Sequence, residues 1–139
     1  MIIEPMGELV GMDPVHRPAR PFDPHEVWHK VVTAEERAIG WGGLYRFYDA
    51  DRSLLYVGKT WDYLGRFTAH RHKSQWWYQA RYVALSYYLR DCTGDVRLAE
   101  IATVSWARPA FNKNFTALSP KFAERLRPHV APDPFEIES

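Results

Sequence analysis

A chain of 139 residues with 46% apolar and 25% charged residues has the size and composition of one globular domain. One cysteine excludes an internal disulfide, the first residues lack a secretory signal, and no stretch approaches the roughly 18 uncharged apolar residues that span a bilayer. We therefore expect a cytoplasmic protein without membrane contact, and the net charge of +1 by itself selects no partner.

Prolines interrupt the first part of the chain at Pro5, Pro14, Pro18, Pro21 and Pro24. Because proline breaks regular helices and strands, we predict a proline-rich arm over residues 1–40 that contains short helices. A compact domain over residues 41–118 follows, and a C-terminal helix with an acidic tail occupies residues 119–139.

Residues 43–60, GLYRFYDADRSLLYVGKT, place aromatic and β-branched residues on both sides of a polar loop and predict a β-hairpin. A loop centred on residues 50 and 51 would set Tyr45 opposite Tyr56, with both phenols on one face. The opposite face then takes Leu44, Tyr48, Leu55 and Val57, with Arg46 as the exception among core residues.

The same register sets Gly43 opposite Gly58, and glycines at these positions would let another backbone come close. A second interpretation needs no function at all, because aromatic cross-strand pairs stabilise hairpins by themselves. For an arbitrary hairpin this second interpretation is the commoner one.

The segment after the hairpin predicts a helix that is capped by Thr60 and has Asp62 in its first turn. Arg66, His70 and Lys73 share its polar face, and taken alone Arg66 is more simply the ion-pair partner of Asp62. His70 and His72 do not predict a zinc site, since the only cysteine is distant and His72 lies off this face.

Residues 81–89 predict a strand, with a helix as competitor from Ser74 onwards, and residues 95–107 predict a helix that ends before Pro109. Glu100 lies inside that helix among apolar residues. An acid in such surroundings costs free energy unless it is paired or bound to a metal, although it can also point outwards from the edge of the apolar face.

Residues 59–90 concentrate positive charge, with six basic residues against one acid: Lys59, Arg66, Arg71, Lys73, Arg81 and Arg90 against Asp62. This segment also carries histidines, tryptophans and a tyrosine, which fits nucleic acid as an anionic polymer partner. We assign Lys59, Arg71, Lys73 and Arg81 to DNA binding through backbone phosphates. A solvated surface helix is the alternative interpretation.

The chain resembles the GIY-YIG endonucleases, named for two tripeptides that appear here as Gly43-Leu44-Tyr45 and Tyr56-Val57-Gly58. The resemblance covers roughly residues 42–115 and continues through four further residues: Lys59, Arg66, Glu100 and Asn112. It implies an α+β fold in which helices flank a small three-stranded antiparallel sheet, and metal-dependent hydrolysis of a DNA phosphodiester. RNA stays open as a substrate.

The resemblance also implies a role for each matched residue. Tyr45 would be the general base, with Tyr56 in its hydrogen-bond network, and Lys59 and Arg66 would favour the phenolate form of Tyr45. Arg66 would also stabilise the charge that develops on the phosphate. The remaining catalytic assignments are His70 one turn after Arg66, Glu100 as the ligand of Mg²⁺ or Mn²⁺, and Asn112 as a tie between its loop and the active site.

A compact nuclease of the restriction, defence or mobile-element kind is the function that this resemblance predicts, and a homodimer is one way to supply sequence preference. A catalytically inactive nucleic-acid-binding module of the same fold is the first alternative. A protein-interaction domain that uses the six tryptophans is the second.

Overall fold

The computed structural model describes residues 14–26, 31–34, 36, 42–88, 93–112 and 119–137. The described residues form five strands, β1 (Val15–His16), β2 (Arg20–Pro21), β3 (Gly43–Tyr48), β4 (Leu54–Thr60) and β5 (Tyr82–Tyr87). They also form three α-helices, α1 (Tyr63–Lys73), α2 (Thr93–Ala107) and α3 (Pro120–Leu126), and 3₁₀ turns at Trp77–Gln79 and Arg127–His129. The α+β class is confirmed, and no described helix is long and apolar enough to cross a membrane.

The sheet is antiparallel and has the order β1-β5-β3-β4, with β2 also paired to β5. The expected sheet of three strands is therefore wrong, because the proline-rich arm adds two short strands along the free edge of β5. Each added strand has only two residues, which is as much regular pairing as the closely spaced prolines allow. Much of the region expected to form short helices in the arm lies outside the described residues.

The register of the hairpin differs from the predicted one. Tyr45 lies opposite Gly58 and Phe47 lies opposite Tyr56, and the register shifts by one residue before Tyr48 pairs with Leu54. The turn explains the difference, because the Asp49 carboxylate accepts hydrogen bonds from the backbone N–H groups of residues 51 and 53, at 2.9 Å each. Both phenols nevertheless share one face, as diagonal neighbours.

Each face of the sheet carries its own core. The first face packs β3 and β5 against α1 and the 3₁₀ turn, and its buried residues include Tyr45, Phe47, Tyr63, Phe67, Trp76 and Trp77. The second face packs against α2 and against the C-terminal segment, which we define as residues 131–136. Its buried residues include Leu44, Val57, Val96, Ala99 and Ala131. Leu55 packs in the first core, contrary to the prediction, because the register shift next to it turns its side chain across the sheet.

The start of α1 is set by Asp62, which is the N-cap residue in place of the predicted Thr60. The Asp62 carboxylate accepts from the Gly65 N–H at 3.0 Å, and the Thr60 hydroxyl accepts from the Asp62 N–H at 3.0 Å. The predicted strand over residues 81–89 is confirmed as β5, and α2 ends before Pro109 as expected.

Candidate active site

Four predicted side chains meet on the first face of the sheet. Tyr45 projects from the central strand β3 and Tyr56 from β4, while Arg66 and His70 project from α1, one helical turn apart. Helix α1 lies on this face because Tyr63 and Phe67 are buried in the first core. The helical spacing therefore carries the two basic side chains towards the phenols.

The Tyr45 hydroxyl is the centre of a hydrogen-bonded cluster. It lies 2.7 Å from His70 Nε2 and accepts from Arg66 Nε at 3.2 Å, and His70 Nδ1 lies 2.6 Å from the Ser74 hydroxyl. Because Arg66 Nε–H already donates a hydrogen bond to the phenol oxygen, we assign the phenol hydrogen to the bond between Tyr45 and His70 Nε2. His70 Nδ1 then carries its own proton towards Ser74.

His70 is neutral in this cluster. Burial, with a smaller contribution from the positive charge of Arg66, lowers the pKa of His70 to about 4. A neutral imidazole with Nδ1 protonated leaves Nε2 as an acceptor. His70 Nε2 can therefore accept a hydrogen bond from the Tyr45 hydroxyl near neutral pH.

The pKa of Tyr45 moves in the opposite direction from the expectation. Burial raises it well above the usual value for a phenol, the neighbouring phenol of Tyr56 raises it further, and the hydrogen bond and charge of Arg66 only partly oppose this. The expectation that cations hold Tyr45 as phenolate is therefore wrong, because the loss of hydration outweighs the attraction to one guanidinium.

A cleft of about 410 Å³ opens beside this cluster. Its lining includes Tyr56, Arg66, His70, Lys73, Trp76 and Phe111. Tyr56 is partly exposed at the cleft and stacks on Trp76 with ring centroids 5.0 Å apart, whereas Tyr45 is 0% exposed behind it. The phenol that faces the cleft is thus Tyr56, although Tyr45 makes the hydrogen bonds.

Sequence reasoning missed three residues of this site, Ser74, Trp76 and Phe111. The spacing of four residues between His70 and Ser74 at the end of α1 could have indicated the first of them. The other two were not detectable by spacing, since Trp76 follows the helix and Phe111 comes from a distant loop.

Gly58 has no space for a side chain. A Cβ atom there would lie 2.3 Å from both Cζ and the hydroxyl oxygen of Tyr45, its partner across the strands. At Gly58 the close approach is thus made by an aromatic ring, whereas at Gly43 a Cβ would lie 2.2 Å from the Ser86 carbonyl oxygen, a backbone contact as predicted.

Asn112 joins its loop to β4 through two hydrogen bonds to one residue. Its Oδ1 accepts from the Val57 N–H at 2.9 Å, and its Nδ2 donates to the Val57 carbonyl at 2.7 Å. The Phe111 N–H donates to the Leu55 carbonyl at 2.9 Å and extends the pairing. These bonds agree with the positioning role that the sequence predicted for Asn112.

Glu100 is a half-buried carboxylate on α2. Burial raises its pKa, while the positive charges of Lys59, Arg97 and Arg66 act to lower it. Within the described residues Glu100 makes no hydrogen bond or ion pair, and no group of three or more His, Cys, Asp or Glu side chains is present. A divalent ion at Glu100 would therefore have fewer than three protein ligands of these types among the described residues, which suits a hard cation that keeps water and phosphate oxygens.

Of the four predicted DNA-binding cations, Lys73 is the one in the cleft lining. Lys73 is exposed and lines the cleft, and Lys59 is exposed on β4 within electrostatic range of Glu100. Arg81 lies outside the cleft lining, and its guanidinium donates to two carbonyl groups of its own turn. Arg71 lies on α1 and is partly buried, whereas His72 is exposed as predicted.

Comparison with known proteins adds no family assignment. The chain matches no family model, no curated protein and no solved structure.

Proposed function

We propose that the chain is a metal-dependent endonuclease of the GIY-YIG type that hydrolyses DNA phosphodiester bonds, in a compact restriction, defence or mobile-element nuclease. The observation that carries the proposal is the hydrogen-bonded cluster of Tyr45, His70 and Arg66 beside a cleft that Lys73 also lines. It places a proton acceptor, a phenol and a guanidinium in contact at the side of one cleft, and general-base and electrostatic catalysis of phosphodiester hydrolysis use groups of these kinds.

Proton transfer in this proposal passes through Tyr45 to His70. An attacking water gives a proton to the Tyr45 oxygen while the phenol proton moves to His70 Nε2, 2.7 Å away. The two transfers must be coupled, because burial disfavours both a standing Tyr45 phenolate and a standing His70 imidazolium. The negative charge of the bound phosphate favours the imidazolium and raises the pKa of His70 in the complex. The water oxygen forms the new bond to phosphorus as the bond to the 3′ oxygen breaks.

Arg66 and Glu100 supply the electrostatic part of the mechanism. Arg66 is exposed on the cleft side, where its guanidinium can turn from Tyr45 to the phosphate and open a path for water to the phenol oxygen. Glu100 would hold Mg²⁺ or Mn²⁺, which neutralises charge on the phosphate and the leaving oxygen when bound.

A second candidate function is a nucleic-acid-binding module of the same fold without catalysis. The complete burial of Tyr45 favours this candidate, because water has no direct contact with the phenol oxygen. Both candidates predict DNA binding through the cleft, so only cleavage distinguishes them.

The experiment that tests the proposal incubates the purified protein with supercoiled plasmid, with and without Mg²⁺ or Mn²⁺. Metal-dependent nicking is expected, and it should be lost in Glu100→Gln while DNA binding persists. The Tm of Glu100→Gln should be unchanged or higher, because burial disfavours the ionised carboxylate that the substitution removes.

Glu124→Gln on α3 is the matched control, since its exposed carboxylate only pairs with Arg127 at 3.6 Å. This control should nick plasmid like the wild type. Full Mg²⁺-dependent nicking by Glu100→Gln would remove Glu100 from metal binding, and retardation of DNA without nicking by the wild type would favour the second candidate.

A further inference from the structure

Arg46 is a buried cation on the second face of the sheet, opposite to Tyr45. Its side chain is 1% exposed, and its Nη1 donates to the Pro132 carbonyl at 2.7 Å. Its other two nitrogens, Nε and Nη2, are buried and have no hydrogen-bond partner among the described residues. Leaving two buried donors unpaired is energetically unfavourable, which suggests that Nε and Nη2 of Arg46 bind a group from outside the described residues.

The unpaired nitrogens form one recognition edge. In arginine, Nε–H and one Nη2–H point in parallel, which is the arrangement that binds a carboxylate or phosphate through two hydrogen bonds. The ion pairs of the described residues join Arg17 and Arg20 to Glu36, and Arg127 to Glu124, so none of them involves Arg46.

The neighbours of Arg46 do not neutralise its charge. His16 is electrically neutral, because burial and the charge of Arg46 lower its pKa to about 4. Tyr48 and Tyr88 are close enough for Arg46 to influence their pKa values, yet burial dominates and raises both, which keeps them as uncharged phenols. Asp133 and Glu136 line the same cavity as Arg46, but none of the described ion pairs within 4.0 Å joins a carboxylate to its guanidinium.

A cavity of about 470 Å³ has Arg46 in its lining. Its lining includes Arg46, Tyr48, Arg52, Asp133, Phe135 and Glu136. The guanidinium of Arg52 stands over the Phe135 ring at 4.6 Å, which holds a second cation at the cavity. Two arginines and two carboxylates give the lining no formal net charge, so recognition of an anion here must come from paired hydrogen bonds to one guanidinium and not from overall charge.

We propose that this cavity binds a small molecule that carries one carboxylate or phosphate group, with that group on the Nε and Nη2 edge of Arg46. The site lies on the opposite face of the sheet from Tyr45 and does not depend on the proposed nuclease function. Because both nitrogens are closed to solvent, groups around Arg46 must shift when the anion enters. Pro132 is hydrogen-bonded to the same guanidinium, so we expect binding at Arg46 to alter the position of the segment that contains it.

The test uses acetate and inorganic phosphate as separate probes, with sodium chloride at equal ionic strength as the reference. The NMR signal of the Arg46 Nε–H group should shift saturably with at least one probe, and the effective probe identifies the head group as carboxylate or phosphate. Above its Kd, each increase in the concentration of that probe by about tenfold should raise the Tm by several degrees.

Three variants separate this site from other arginines. Arg46→Lys keeps the charge but lacks the two-donor edge, and should lose the Tm response to the probe. Arg66→Gln should keep the response, which excludes phosphate binding at the cleft as its source. Arg52→Gln changes an exposed side chain, so it should fold even where Arg46→Lys does not, and it should weaken the response.

Two results would overturn the proposal. One is an Arg46 Nε–H signal that does not shift with either probe beyond its shift in sodium chloride. The other is a Tm response in Arg46→Lys equal to that of the wild type. Either result would make Arg46 an anchor for the Pro132 carbonyl alone.

Discussion

Replacement of Gly58 by alanine tests the packing on which the candidate site depends. The added Cβ would lie 2.3 Å from Cζ and the hydroxyl oxygen of Tyr45, and an ordinary contact begins at 3.4 Å. The ring would have to move by the difference of these two distances, 1.1 Å. The phenol oxygen cannot move that far and keep both its 2.7 Å contact with His70 and its 3.2 Å bond from Arg66.

The expected cost follows from overpacking a buried ring. Insertion of a methyl group into a well-packed core destabilises a protein by about 1 to 3 kcal/mol, which for a chain of this size lowers Tm by roughly 4 to 12 °C. The free energy of unfolding is measured by urea titration. Plasmid nicking by the remaining folded protein should fall by about 10² or more, because proton transfer from Tyr45 to His70 loses its geometry.

Gly65→Ala is the matched control for Gly58→Ala. Its Cβ would also lie 2.3 Å from another atom, but that atom is the Asp62 carboxylate oxygen, which can rotate away. The gain in helix propensity and the weakened N-cap are each about 1 kcal/mol and oppose each other, so little net change in stability is expected. Wild-type Tm and nicking in Gly58→Ala would refute the packing argument.

Three further predictions concern the same site. Tyr45→Phe should lower nicking by about 10² or more with the fold retained, and Tyr56→Phe should do less; a fully active Tyr45→Phe would remove Tyr45 as the proton-transfer group. The folded-state pKa of His70, about 4, lies below its ordinary value, so the unfolded chain takes up the proton first and stability falls as pH drops from about 6.5 towards 4. His70→Gln should remove part of this loss in urea midpoints and the exposed His72→Gln should not; an unchanged pH profile in His70→Gln would contradict the buried neutral histidine. Lys73→Ala should reduce the slope of log DNA affinity against log salt concentration by about one, whereas Lys121→Ala on α3 should not. Equal slopes for the two variants would place the DNA path away from the cleft.

The sequence by itself determined the elements that depend on local periodicity and on nearby residues. Alternation of apolar and polar residues predicted the hairpin of β3 and β4, and the apolar residues within 81–89 predicted β5. Pro109 marked the end of α2. These features need only the two-residue and 3.6-residue repeats and a proline that ends a helix, all of which can be read along the chain. The bonds of Asn112 to Val57, which lies 55 residues away, were expected from the family resemblance and not from a local pattern.

Only the tertiary structure decided the register, the two added strands, and the charge states of the site. The register depends on the pairing of β3 with both β4 and β5 as well as on the hydrogen bonds of Asp49 within the turn, and alternation alone specifies neither. The direction of the Tyr45 pKa depends on desolvation by groups that pack around it, such as Phe67 and His70, more than 20 residues away in the chain. The partners of the Arg46 guanidinium also depend on distant residues. Pro132 brings a carbonyl group to Nη1, and no described residue brings a carboxylate to Nε or Nη2. Hydration and hydrogen bonding depend on which distant residues come together, and a linear pattern does not record that.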